Sequence, residues 1–414
     1  MVRKYVGLWI LVLAMAVILP GTSLAAGVIK IGAVYPLTGD VASTGQECKS
    51  GVELALDIIN NSYDIDIPFA KTAGIPSLGG AKLEAVFSDS QGSPQTGISA
   101  AEYLISNNGV VAMVGAYQSS VTKTVSQVTE RMHIPMVCSD STSTALTERG
   151  FHYFFRANPN VTIGAQDQFE FLEGMRKQGH SINRIALVYE NSEWGSSVAE
   201  QEKICAKKYG YEIVADVPYS HSTTDVSSEV ARIMDAHPDV VMENSYVSDE
   251  ILYTEAFKLH NFTPPALMSW TGHTDRSYLK TVGPDADYFV VLSEFNLAMA
   301  KTIPAIKQVN DLYRKKFGHD LTENAVRSFN APFVLADAIN RAGSTNPDAI
   351  QKALTETNMS AGIMPWKGIQ FDQNHQNQYA SLVLQQMVKG EFQTVWPPNV
   401  ATMKIVWPFP GWGK

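Results

Sequence analysis

The sequence has little cysteine: Cys48, Cys138 and Cys205 are the three in its 414 residues. An odd number limits the disulfides to one, and the spacings match no C-x-x-C metal pattern. A Cys48–Cys138 pair and three buried thiols both stay open. Basic runs are also missing. No stretch of Lys and Arg exceeds three residues, and 32 basic against 41 acidic side chains give a formal charge of −9. That excludes the basic footprint of a nucleic-acid binder. Beyond residue 26 no apolar run reaches membrane-spanning length. The 29 Gly and 20 Pro follow no period, which excludes a collagen-like chain. No repeat occurs at 20–50 residues, which excludes a solenoid. Catalytic signatures are absent as well: there is no G-x-S-x-G, no G-x-x-x-x-G-K-[ST] and no H-E-x-x-H. His133, His273 and His375 read as isolated residues. The sequence therefore predicts no metal, no cofactor and no nucleophile–base pair, so not an enzyme.

What is present begins with a leader. Arg3 and Lys4 precede an apolar run from Val6 to Leu19, Pro20-Gly21 breaks it, and Ser23-Leu24-Ala25-Ala26 offers a cleavage site. Residues 1–26 read as a secretory signal peptide, too short in its apolar part to span a bilayer comfortably. The full chain is 45% apolar and 18% charged, and its length beyond the leader is ample for two globular domains.

Apolar β-branched runs then alternate with amphipathic stretches. Strands are predicted at Val28–Val34, Leu83–Phe87, Val110–Gly115 and Pro135–Cys138. Helices fall between them at Gln46–Asn60, Pro94–Asn107 and Ser119–Arg131. The alternation restarts with a helix at Val161–Gln178 and strands at Arg184–Tyr189, Glu212–Val217, Asp239–Glu243, Ala266–Ser269 and Tyr288–Leu292. Three helices follow at Lys301–Phe317, Asn324–Ala342 and Pro347–Thr355, then late strands at Gly368–Phe371 and Ala380–Val388. Strands alternating with helices give parallel sheets covered on both faces. The fold class is α/β, with two doubly wound lobes. In such sheets ligands bind beyond the carboxyl ends of the strands, so facing lobes would place the site between them.

The strand-to-helix turns carry the candidate residues. Ser119 or Ser120 is predicted at the N-cap after the third strand, either as a plain cap or as an anion holder at the positive helix end. Ser139-Asp140-Ser141-Thr142-Ser143-Thr144 follows the fourth strand, six small polar residues where capping needs one. Asp140 could cap or receive a ligand ammonium. In the second set, Trp194 beside Gly195 is a core residue or a cleft wall. Tyr246 and Trp270-Thr271-Gly272 offer apolar faces with polar handles.

Taken together, these residues resemble a known family. Ile31-Gly32-Ala33-Val34-Tyr35-Pro36-Leu37-Thr38-Gly39, Asp89-Ser90-Gln91-Gly92-Ser93-Pro94, Leu146-Thr147-Glu148-Arg149-Gly150 and Pro238-Asp239-Val240 carry the likeness. The chain resembles the periplasmic leucine/isoleucine/valine-binding receptors of ABC importers, from about Val28 to Val388. The resemblance implies Rossmann-like lobes joined by a three-strand hinge, the type I periplasmic binding protein fold. Lobe 1 would take 27–158 and 294–378, and lobe 2 would take 159–293 and 379–394. An extended tail would occupy 395–414. Crossings would fall near Asn158, Ser293 and Tyr379. Ser119 and Thr142, flanked by Ser141, match the family's carboxylate holders. Trp194 stands where an aromatic covers the ligand side chain, and Tyr246 matches a residue near the amino group.

One position departs from the family. Receptors for aliphatic amino acids place an acidic residue against the ligand ammonium where this chain has Thr271. Either Asp140 takes that role from the first lobe, or the ligand has no ammonium. The expected function is an exported, periplasmic receptor that delivers a small amino acid or related carboxylate to ABC permease subunits. A receptor for an aromatic acid, an amide or a urea-like solute is the alternative. A ligand-sensing regulator with the same fold is the other non-enzymatic reading.

Overall fold

The computed structural model describes residues 27–221 and 223–413. The expected signal peptide lies outside them. Chain order in the first part is β1 (Val28–Tyr35), α1 (Ala42–Asn60), β2 (Lys82–Asp89), α2 (Pro94–Asn108), β3 (Ala112–Gly115), α3 (Ser119–Arg131), β4 (Met136–Cys138) and β5 (Phe154–Arg156). The five strands form one all-parallel sheet in the order β2-β1-β3-β4-β5. Central strands such as β3 and β4 are buried along their whole length. They read as short apolar runs without alternation for that reason. The sequence reading missed β5, whose three residues are too few to show a period.

The second part runs α4 (Val161–Lys177), β6 (Arg184–Glu190), α5 (Glu193–Tyr209), β7 (Glu212–Tyr219), α6 (Ser227–Asp235), β8 (Val240–Ser245), α7 (Val247–Leu259), β9 (Ala266–Thr271), α8 (Arg276–Val282) and β10 (Val290–Ser293). Its sheet has the order β14-β13-β10-β9-β8-β6-β7. The last two strands, β13 (Val383–Val388) and β14 (Glu391–Trp396), join antiparallel at its edge. Between β10 and β13 come α9 (Ala305–Phe317), α10 (Glu323–Ala342) and α11 (Pro347–Thr355), then the hairpin of β11 (Asn358–Met359) and β12 (Ile369–Gln370). Helix α9 starts later than the expected Lys301. Residues 297–301 form a short 3-10 turn, and Pro304 stands at the N-cap.

Helix α10 packs along α1 and against β3 and β4, which returns the late helices to the first sheet. The contact is backbone-close: a Cβ on Gly51 would lie 2.0 Å from the Ala325 carbonyl oxygen. The chain therefore passes between the two sheets three times: after β5, after β10 and before β13. The first and third passages are zipped together. Arg156 N donates to His375 O at 2.9 Å, and Asn377 N donates to Arg156 O at 2.8 Å.

Residues 397–413 have no regular structure, yet they are docked. Val406 N donates to Gln386 Oε1 at 2.8 Å, Phe409 N to Pro265 O at 2.8 Å, and Trp412 Nε1 to Phe262 O at 3.0 Å. Phe409 and Trp412 pack their edges on Phe289. All three cysteines are buried free thiols, so the Cys48–Cys138 pairing is not formed.

Candidate functional site

The carboxyl ends of β1, β3 and β4 in one sheet face those of β6, β8 and β9 in the other. Between them lies a small pocket. The first sheet and its helices supply Tyr117, Asp140, Ser141, Thr142 and Arg327. The second supplies Trp194, Tyr246 and Thr271. Six of the eight residues singled out in the sequence thus meet at one wall: Asp140, Ser141, Thr142, Trp194, Tyr246 and Thr271.

Ser119 and Trp270 do not reach that wall. Ser119 is the first residue of α3, not its N-cap; that place is taken by Gln118, whose side chain makes no capping bond. Ser119 Oγ lies behind the loop and accepts from Ser143 N at 3.3 Å. Trp270 is wholly buried. Its ring fills the space above Gly164, where a Cβ would come within 2.5 Å of it, and supports Trp194 edge-on at 6.2 Å. It backs the pocket rather than lining it.

The polar loop 139–144 is held from below. Arg156, fully buried on β5, donates to Ser143 O, to Gln376 Oε1 at 2.6 Å and to Thr147 Oγ1 at 3.0 Å. Gln376 Nε2 in turn donates to Asn158 O at 2.7 Å. The loop is therefore fixed to the passages between the sheets. Ser141 Oγ donates to Tyr117 O at 2.7 Å and shares a hydrogen bond with Thr122 Oγ1 at 2.6 Å. Thr142 Oγ1 is buried and has no partner among the described residues. A buried hydroxyl without a partner is costly, so it is ready for a ligand.

Asp140 sits at the base of the pocket. Its Oδ1 accepts from Ser328 Oγ at 2.7 Å, and its Oδ2 accepts from Tyr35 OH at 3.3 Å. Cys48 Sγ stands 3.9 Å from Oδ1. Burial pushes the carboxyl up to about 6; the Ser328 bond and the Arg327 charge hold it from rising further. Its hydrogen-bond donors are neutral, and the cation already acting on it is Arg327.

Three rings form the apolar wall. Trp194 and Tyr246 lie 5.0 Å apart between centroids, and Tyr117 meets Tyr246 at 5.7 Å. Two wall residues occupy the left-handed region: Tyr117 at φ 72° and Thr271 at φ 84°. For a β-branched residue that is a strained conformation, stored at the pocket.

Sequence reasoning missed Tyr117 and Arg327. Tyr117 stands in the turn between β3 and α3, and its backbone angle was not legible there. Arg327 comes from the second turn of α10, far along the chain. It is one of two arginines in that helix, and its burial among 16 buried residues of α10 is what sets it apart from Arg341.

The lobes also touch outside the pocket. Lys123 Nζ lies 2.7 Å from Glu193 Oε2, and Ser143 Oγ donates to Glu193 Oε1 at 3.0 Å. Thr44 Oγ1 donates to Asp275 Oδ2 at 2.6 Å, and Ser248 Oγ donates to Asp40 O at 2.9 Å. No group of His, Cys, Asp and Glu among the described residues could hold a metal ion.

Two lobes of mainly parallel sheet, a pocket at their facing strand ends and a polar loop beside an aromatic wall fit a solute-binding protein, and the family is one of solute-binding proteins, not enzymes. The chain belongs to the periplasmic binding protein family: that family's model matches residues 28–391. It is 29% identical over 407 residues to a Leu/Ile/Val-binding protein homolog 7 of Brucella suis biovar 1, covering 96% of this chain and 98% of that one. Its fold is similar to that of the branched-chain amino acid transporter substrate binding protein LivJ from Streptococcus pneumoniae, solved with isoleucine. The TM-score is 0.76 at 19% identity, over 92% of this chain and 100% of that one. A solute binding protein from R. palustris, solved with benzoate, matches with a TM-score of 0.76 at 16% identity, over 93% and 97%. At such identities the two structures speak for the fold alone.

Proposed function

We propose that this chain is the exported substrate-binding subunit of an ABC importer, capturing a small amino acid between its lobes. The lobes would comprise 27–158 with 294–378, and 159–293 with 379–394. Residues 1–26 would direct export to the periplasm, and the closed pair of lobes would dock on the permease subunits. The ligand carboxylate would meet Thr142 Oγ1 in the loop after β4, whose neighbour Ser143 bonds the first residue of α3, a helix end that favours an anion. Ser119 holds that loop in place through Ser143 N. Asp140 takes the ammonium, replacing from the first lobe the acidic residue that Thr271 does not supply. Trp194, Tyr246 and Tyr117 enclose the side chain. The observation that carries this reading is the pairing, in one pocket, of an unpartnered hydroxyl on Thr142 with a carboxylate on Asp140.

Thermal unfolding of the mature chain against amino acids, aromatic acids and amides tests it, since a ligand of the folded state raises the midpoint. Amino acids are expected to shift it. Thr142→Ala should then weaken binding about tenfold, the cost of losing one hydrogen bond to a charged group. Unchanged affinity in that variant overturns the assignment of Thr142. Thr271 favours a second reading, a receptor for a carboxylate without an ammonium. The benzoate complex of the R. palustris protein is a precedent for such a ligand on this fold. Midpoint shifts by des-amino acids alone would establish it.

A further inference from the structure

Arg327 makes the pocket unlike a slot for a plain aliphatic side chain. Its guanidinium is buried and enters the pocket wall from α10. Nη2 donates to Glu323 Oε1 at 2.6 Å. Nε stands 3.0 Å from Glu294 Oε1, yet no aligned hydrogen bond forms there. The guanidinium is ion-paired to Glu294 through Nε and to Glu323 through Nη2, and Nη1 donates no hydrogen bond to a described residue. Burial pushes Glu294 up to about 8, while the charges of Glu323 and Asp140 also act on the guanidinium. A guanidinium cannot shed its proton to relieve burial. Laid against the methyl groups of Leu, Ile or Val, its free N–H would stay unsatisfied at a cost comparable to a lost charged hydrogen bond. Laid against an oxygen, it forms one of the stronger bonds open to a protein.

We propose that Arg327 contacts the ligand directly and selects one that carries an oxygen acceptor beyond its α-carboxylate. In an amino acid this is a side-chain hydroxyl, amide or carboxylate. The inference rests on the amino-acid reading of the pocket and narrows it. The ammonium goes to Asp140, the α-carboxylate to Thr142 and the second oxygen to Arg327. The aromatic rings contribute shape and exclude water.

Titration calorimetry on the mature chain tests this with pairs of similar size: Asn against Leu, Thr against Val, Gln against Met. At least one oxygen-bearing member should bind the wild-type chain about tenfold or more tightly than its partner, because a site built for a polar group rejects the analogue lacking it. Arg327→Met should erase that preference, and Arg327→Lys should keep part of it. Where Arg327→Met alone unfolds, the double variant with Glu323→Gln removes the orphaned charge and serves in its place. A wild-type preference for Leu, Val and Met overturns the proposal. So does an oxygen preference that survives Arg327→Met. The underlying reading fails separately. If only des-amino acids bind, Asp140 has no ammonium partner, and the same cycle on acids with and without a second oxygen still decides the role of Arg327.

Discussion

At the scale of single residues, Asp140 makes a pH-dependent claim. Its folded-state value of about 6 stands above the ordinary 3.8, with burial as the main cause. The folded chain therefore holds this proton more tightly than the unfolded chain. Between about pH 4 and pH 6 the empty protein loses stability as pH rises, and below that range the contribution is fully present. Binding runs the other way, because a ligand ammonium needs the ionised carboxylate. Amino-acid affinity is expected to fall about tenfold per pH unit below 6, and Asp140→Asn should weaken binding at pH 7 and flatten that slope. Calorimetry between pH 4.5 and 8 checks it; an unchanged slope in the variant excludes Asp140 as the titrating group. The loop that carries Asp140 was legible because six small polar residues in a row exceed what capping needs. The place of Arg327 was not legible. A cation inside a helix ordinarily reads as a solvated face, and only the packing of α10 on α1 turns it inward.

Among elements, the α1–α10 contact is the least forgiving. Gly51 meets the Ala325 carbonyl, a backbone atom that cannot rotate away. Gly51→Ala should cost about 1–3 kcal/mol, the usual penalty of overpacking, and lower the thermal midpoint without changing ligand selectivity. A midpoint within a degree of wild type would mean that the helices slide apart freely. The long elements of both lobes were readable because alternating apolar runs and 3.6-residue periodicity leave a strong imprint. Short β5 left none. Nor did the return of α9, α10 and α11 to the first sheet, since periodicity gives a helix its apolar face but not the sheet it covers. Only the family resemblance implied that return.

For the whole molecule, the described geometry is the closed one, held in part by contacts outside the pocket. Glu193 bonds both Lys123 and Ser143 across the cleft, as Asp275 bonds both Ser43 and Thr44. Both Glu193 bonds are partly exposed, so each contributes modestly. Glu193→Ala should shift the ligand-free chain toward open forms, with a larger radius of gyration in small-angle scattering, and weaken ligand binding severalfold. An identical scattering profile with and without the substitution would place the closing energy elsewhere. The docked tail has a practical consequence of its own. Phe409 and Trp412 lie against Pro265 and Phe262, at the start of β9, whereas Thr271 at the other end of that strand lines the pocket. A surface tether joined after Trp412 would therefore hold the protein by its base with the mouth directed away from the support, the orientation that an immobilised solute sensor requires.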